Sequence, residues 1–132
     1  MPFVHRLRVR FHECDPQGVV FYAQYFAYVD VALTEMWREA FGSYGEVVAA
    51  GTDVVVVEAG ATFRASARFD DDLDVELRID RLGTTSMAMD TEIRRDREVL
   101  VEGRIVHVFV DTATMAKQAI PDHMRASLET YA

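Results

Sequence analysis

The sequence predicts an α+β fold in which one curved antiparallel sheet wraps a single long helix. Two observations predict it: one strongly amphipathic helical segment, and four later segments that have the pattern of strands, two of them with apolar and polar residues in alternation. A run of strands after one helix favours an antiparallel sheet over a doubly wound parallel one. The chain has 132 residues, enough to bury a core without a disulfide or a metal. We therefore predict a single domain that spans residues 1–132.

The first predicted strand runs from Phe3 to Phe11. Apolar and basic residues alternate along it, with Phe3, Leu7, Val9 and Phe11 on one face, so we expect that face to be buried. The next segment, DPQG at residues 15–18, breaks the strand. Asp accepts local backbone hydrogen bonds, Pro fixes φ and Gly tolerates a positive φ, so this segment is predicted to be a turn.

The helix is predicted from about Gln24 to Ala40. At about 100° per residue, its apolar side chains fall within one arc of roughly 140°. These side chains belong to Tyr25, Phe26, Val29, Ala32, Leu33, Met36, Trp37 and Ala40. Tyr28 and Val31 interrupt the opposite, polar side, so we expect the back of the helix to be partly covered. Gly42 is predicted to end the helix.

Four strands are predicted after a short irregular stretch, with turn residues between them. They are Val54–Phe63, a second around Val75–Ile79, a third around Met87–Ile93, and Val99–Val110. We expect a four-strand meander. Because the last strand is apolar on both faces from residue 105 to residue 110, we expect it to be central. A short helix is predicted after Pro121.

Charge and composition exclude several classes of function. The net charge is −8, and Lys117 is the only lysine among 14 basic residues, so general binding to nucleic acid or to membrane is not expected. No apolar run approaches the roughly 20 residues that span a bilayer, and the N-terminal residues lack the pattern of a signal peptide. Cys14 is the only cysteine. We expect a soluble cytoplasmic protein without disulfides.

Metal chemistry is not expected either. His5, His12, His107 and His123 are scattered along the chain without the spacing of metal ligands. Cys14 lacks an evident base and is predicted to be a small buried side chain. His12 lies close to Asp15 in sequence and is a candidate for tuning that carboxyl group.

The DPQG turn has two interpretations. In the first it only redirects the chain. In the second it places the Asp15 carboxylate at the start of the most apolar helix, where the first backbone N–H groups have no partner within the helix. Such donors polarise a carbonyl oxygen, and a carboxylate beside them at the edge of an apolar pocket is suited to acyl transfer.

Two segments resemble a known family. The run from Cys14 to Asp30, which begins CDPQGVVFY, resembles the hot-dog-fold acyl-CoA thioesterases, in particular the 4-hydroxybenzoyl-CoA thioesterase family. The segment ATFRASARFDDDL, from Ala61 to Leu73, resembles the same family's strand and acidic turn. Related Tol–Pal-associated thioesterases often carry Pro where Ser66 stands, which favours the hydroxybenzoyl branch. The resemblance covers nearly the whole chain and implies a single hot-dog domain.

The resemblance implies a role for each matched residue. Asp15 corresponds to the family's catalytic carboxylate, either a nucleophile or a general base, and the backbone N–H of Tyr22 corresponds to the oxyanion donor. The other matched positions are Gly18, Tyr25 and Asp30 near the acyl group. Weaker candidates for contact with the phosphates of coenzyme A are Arg64 and Arg68. No metal and no cofactor are implied.

The same resemblance implies assembly, because proteins of this family usually dimerise edge to edge with each active site at the subunit interface. A homodimer or a homotetramer is therefore expected, acting on an aromatic or short-to-medium acyl-CoA. Two other functions stay open. A non-catalytic acyl-CoA-binding hot-dog module would not need Asp15, and a hydratase of this fold would carry His where Val20 stands.

Overall fold

Five strands and three helices build the fold in a computed structural model, which describes residues 1–132. The strands are β1 (Phe3–Arg8), β2 (Thr52–Phe63), β3 (Asp72–Leu82), β4 (Ser86–Arg95) and β5 (Glu98–Asp111). The helices are α1 (Gln24–Phe41), α2 (Tyr44–Ala49) and α3 (Asp122–Glu129). None of the helices combines the length and the apolar character needed to cross a membrane. The predicted α+β class is confirmed.

The five strands form one antiparallel sheet in the order β1-β3-β4-β5-β2. Strands β3, β4 and β5 form a meander, but β2 pairs with β5, so the predicted four-strand meander is wrong at β2. Residues 64–71 connect β2, at one edge of the sheet, to β3, which lies beside the strand at the opposite edge. The last strand is interior as expected, although the middle position belongs to β4. The outer edge of β2 has no partner in the chain.

Helix α1 packs its apolar face against one face of this sheet. Ala32, Met36 and Trp37 are almost fully buried there, and each large apolar side chain so buried contributes about 1.5–3 kcal/mol to stability. The helix ends as predicted at Gly42, whose φ is +88°. The back of α1 is partly covered, as expected: Tyr28 is only 2% exposed, whereas Val31 is 45% exposed.

Two local features differ from the sequence prediction. Strand β1 ends at Arg8, because the chain turns into a single 3₁₀ turn at Phe11–Glu13. Phe11, predicted on the buried face, is instead 77% exposed and packs edge-on against Phe69. Helix α2 was not predicted. It begins after Ser43, whose side chain accepts a hydrogen bond from the backbone of Glu46.

Candidate active site

The DPQG segment forms a closed turn that holds itself together. The Asp15 N–H donates to the Val19 carbonyl oxygen at 2.9 Å, and the Gly18 N–H donates to the Asp15 carbonyl oxygen at 2.9 Å. The Gln17 N–H donates to Asp15 Oδ1 at 2.8 Å. Gly18 has a φ of +79°, which explains why glycine stands there. The second carboxylate oxygen of Asp15 has no hydrogen-bond partner in the chain.

The start of α1 supplies two free backbone donors. The N–H of Phe21 donates to Glu13 and the N–H of Gln24 donates to Phe21. Between them, the N–H groups of Tyr22 and Ala23 donate to no acceptor in the chain. Free N–H groups at a helix start carry a partial positive charge and favour a developing negative charge. Tyr22 thus has the free donor that was predicted, and Ala23 adds one that was not.

Asp15 and Tyr22 line the same cleft, which has a volume of about 280 Å³. Tyr25 and Phe63 form part of its wall. The Tyr25 hydroxyl accepts a hydrogen bond from the Ala67 N–H at 3.0 Å, and burial raises the pKa of that hydroxyl. Tyr25 therefore attaches α1 to the connection between β2 and β3 and also borders the cleft.

A buried side-chain pair fixes the turn to α1. Glu13 Oε1 accepts a hydrogen bond from the Tyr28 hydroxyl at 2.9 Å and another from the Arg10 N–H at 2.7 Å. The Glu13 carbonyl oxygen accepts the Phe21 N–H at 2.9 Å. Burial, together with the Glu13 carboxylate, raises the pKa of Tyr28. Glu13 and Tyr28 thus join the two sides of the turn to the helix, and sequence reasoning missed both roles.

The other predicted site residues divide between the cleft and its surroundings. Arg64 lines the cleft, and its guanidinium lies 2.9 Å from Glu102 in an exposed ion pair. Arg68 is exposed and does not line it. His12 is exposed and makes no side-chain hydrogen bond to Asp15. No group of three or more His, Cys, Asp or Glu side chains has an arrangement that could hold a metal ion.

Asp30 lies in a different cleft, of about 320 Å³, further along α1. Trp37 and Tyr44 form part of that cleft together with Val56 of β2, and His107 of β5 closes it. The largest cavity, of about 700 Å³, lies at the far end of α1 beside α2 and α3. It contains none of the predicted site residues, so size does not mark the site in this molecule.

Comparison with known proteins identifies the family. Residues 17–102 match the family described as the Thioesterase superfamily, and this match begins two residues after Asp15. The acyl-CoA thioester hydrolase YbgC of Escherichia coli is 30% identical over 124 residues, which cover 93% of this chain and 92% of that one. A putative esterase of Aquifex aeolicus is 27% identical over 110 residues, covering 83% and 86%.

Solved structures share the whole fold. A hypothetical protein from Thermus thermophilus superposes with a TM-score of 0.89 at 31% identity and covers 98% of each chain. A 1,4-dihydroxy-2-naphthoyl-CoA thioesterase from Synechocystis has a TM-score of 0.88 at 21% identity, with 97% and 96% covered, and shows the fold alone. These similarities confirm the predicted hot-dog fold. The family match extends over more than half of the chain, so the chain belongs to the Thioesterase superfamily.

Proposed function

We propose that the protein hydrolyses acyl-CoA thioesters, with Asp15 as the catalytic carboxylate and the Tyr22 N–H as the oxyanion donor. One observation carries the proposal. The cleft that contains a carboxylate oxygen without a partner also contains the start of α1, where two consecutive N–H groups have no acceptor. Family membership and the names of the relatives support the same chemistry.

Two routes are consistent with this geometry. In one, the free oxygen of Asp15 attacks the thioester carbonyl carbon, the C–S bond breaks, and water then hydrolyses the resulting anhydride. In the other, Asp15 takes a proton from a water molecule whose oxygen attacks the same carbon. In both, the N–H of Tyr22 stabilises the charge on the carbonyl oxygen. Coenzyme A leaves as a thiolate, which is a good leaving group.

The open edge of β2 supports assembly into a homodimer. Residues 56–60 of this edge strand are exposed, and Val56 and Val57 are apolar. An unpaired apolar edge is a template for pairing with another strand. A two-fold axis through the middle of this exposed run places Phe63 opposite Asp53 of the partner subunit. The Asp15 cleft of one protomer then adjoins the Asp30 cleft of the partner, and a tetramer would pair two such dimers.

The proposed substrate is an aromatic or short-to-medium acyl-CoA. The ring of Tyr22 meets the ring of Phe63 edge to face at the cleft, with centroids 6.0 Å apart, and aromatic rims favour planar acyl groups. Relatives include a 1,4-dihydroxy-2-naphthoyl-CoA hydrolase from Prochlorococcus marinus at 26% identity. Arg64 and Arg68 stay candidates for the phosphates of coenzyme A, because both residues are exposed and Arg64 lines the cleft.

The substitution Asp15→Asn tests the proposal. Asn keeps the oxygen that accepts the Gln17 N–H, so the turn should persist while the carboxylate chemistry is lost. We expect the rate of thiol release from a panel of acyl-CoAs to fall by about 10²–10⁴. Asp70→Asn is the matched control, because Asp70 is exposed at a positive φ that Asn tolerates.

Full activity in Asp15→Asn would overturn the catalytic role. Binding of acyl-CoA by the wild-type protein without thiol release from any member of the panel would instead favour the non-catalytic module.

A further inference from the structure

We infer that the hydroxyl of Ser66 is a second oxyanion donor, which acts on the thioester oxygen together with the N–H of Tyr22. This inference rests on the proposed function and deepens it, because it names a further side chain that contacts the reacting carbonyl group. The hydroxyl donates a hydrogen bond as negative charge develops on that oxygen. It keeps its proton throughout, and no covalent bond to Ser66 forms.

The pairing of two short segments places Ser66 close to the start of α1. The Val20 N–H donates to the Ala67 carbonyl oxygen at 2.9 Å, and an antiparallel bridge follows one residue along. Continuing this register in the other direction places Ser66 beside Phe21, at the spacing of about 4.8 Å that separates neighbouring strands. Tyr22 and its free N–H come next in the chain.

Alternation along the same segments directs the Ser66 side chain into the Asp15 cleft. Val20 and Ala67 are almost fully buried and face the core. Successive side chains of an extended segment point to opposite faces, so Ser66 and Val19 point away from the core. Both line the cleft, as does Asp15, whose N–H donates to the Val19 carbonyl oxygen. The carboxylate and the Ser66 hydroxyl therefore border one space.

The backbone around Ser66 is fixed, whereas its hydroxyl is free. The Ala67 N–H donates to the Tyr25 hydroxyl at 3.0 Å. The Arg95 guanidinium donates to the Ser66 carbonyl oxygen at 3.3 Å and lies 2.7 Å from Asp71. The Ser66 hydroxyl has no hydrogen-bond partner within the chain. A donor held in place before the reaction needs little reorganisation when charge develops.

Other donors near the cleft are placed less well for this role. The N–H of Ala23 is free, but Ala23 does not line the cleft. Arg64 is engaged in an ion pair. Gln17 lies within the DPQG turn, on the side of the carboxylate. Ser66 is thus the neutral donor that the register brings beside the Tyr22 N–H.

The substitution Ser66→Ala tests the inference. Ser66 is exposed, so the variant should fold. We expect kcat for thiol release to fall by about 10- to 100-fold with KM little changed, because a hydrogen bond to a charge that exists only in the transition state is lost. Ser66→Thr keeps a hydroxyl and should retain most of the rate.

Ser127→Ala is the matched control. It removes another hydroxyl that makes no hydrogen bond within the chain, on α3 beside the cavity at the far end of α1. Its kcat should equal that of the wild type.

A binding measurement distinguishes a donor from a residue that only shapes the cleft. Acetonyl-CoA and trifluoroacetonyl-CoA are thioethers that release no thiol, and the fluorinated ketone readily adds water or a carboxylate to form a tetrahedral centre. We expect Ser66→Ala to weaken binding of trifluoroacetonyl-CoA by about 10-fold or more and to leave acetonyl-CoA unchanged, because only the tetrahedral centre resembles the transition state. Titration calorimetry with both ketones would measure this.

The outcomes separate this inference from the proposed function. An unchanged kcat in Ser66→Ala, or equal weakening of both ketones, would overturn the inference and leave the thioesterase standing wherever acyl-CoA is hydrolysed. Absence of thiol release by the wild-type protein from every acyl-CoA would overturn the proposed function. A preference for the fluorinated ketone that depends on Ser66 would still support the donor in that case.

Discussion

The two clefts along β2 leave different kinds of polar group without a partner. In the Asp15 cleft, the unpaired groups are a carboxylate oxygen on a half-buried side chain and the backbone N–H groups that begin α1. In the second cleft, the unpaired group is the Nδ1 of His107, which is buried. Water can solvate exposed groups at little cost, whereas a buried nitrogen without a partner lowers stability. The proposed reacting groups are thus readily solvated, and the buried nitrogen of His107 is not.

Preventing the proposed pairing of two β2 edges should have the largest effect after loss of Asp15 itself. Val57→Lys puts a charge on the open edge of β2, where Val57 is 58% exposed, so the protomer should stay folded. We expect a monomer whose kcat/KM is lower by about 10²-fold, because misplaced substrate groups cost that much. Light scattering coupled to gel filtration and thiol-release kinetics would measure both.

Val4→Lys is the matched control, because Val4 is exposed on β1, the opposite edge of the sheet. It should change neither assembly nor rate. A monomeric Val57→Lys with the wild-type rate would show that each Asp15 cleft works without a partner.

A smaller effect should follow from loosening the Asp15 cleft alone. Tyr28→Phe removes the hydroxyl that donates to Glu13, the residue whose carbonyl oxygen also accepts the Phe21 N–H. We expect kcat to fall by about 10-fold with KM little changed, and the free energy of unfolding to fall by about 1–3 kcal/mol. Steady-state kinetics and urea denaturation would measure these changes.

Tyr131→Phe is the control, because it also removes a tyrosine–glutamate hydrogen bond, to Glu39 at an exposed site. Its kcat should match the wild type. If both variants lose kcat equally, or if neither does, Tyr28 does not position the turn.

The sequence predicted whatever depends on local pattern. Long periodic segments identified α1 and the strands, and the motif around Asp15 identified the proposed carboxylate and its helix start. The partner of β2 was predicted wrongly, because alternation shows that a segment is a strand but not which strand it joins. Helix α2 has six residues, too few to show a period.

The missed site residues share one cause. Glu13 and Tyr28 are 15 residues apart, and their hydrogen bond exists only once the turn folds back against α1. His107 was interpreted as one of four scattered histidines. Its burial beside a cleft that α1, β2 and β5 line together is encoded by no local pattern. Tertiary packing thus decides both the Glu13–Tyr28 pair and the burial of His107.

The smallest predicted effect concerns His107, whose Nδ1 is buried without a hydrogen-bond partner, in contrast to the exposed groups of the Asp15 cleft. His107→Leu replaces the imidazole with an apolar side chain, so it should raise the free energy of unfolding by about 1 kcal/mol near pH 7.5.

The gain should depend on pH, because the pKa of His107 in the folded protein lies below its ordinary 6.5. Below about pH 6.5 the unfolded wild-type chain binds a proton that the folded chain does not, so wild-type stability falls as pH drops through this window. Leu has no such proton, and the gap between the proteins should widen from about pH 7.5 to about pH 5.5. Urea denaturation of both proteins at each pH measures this gap. A gap that stays constant would mean that folding does not lower the pKa of His107.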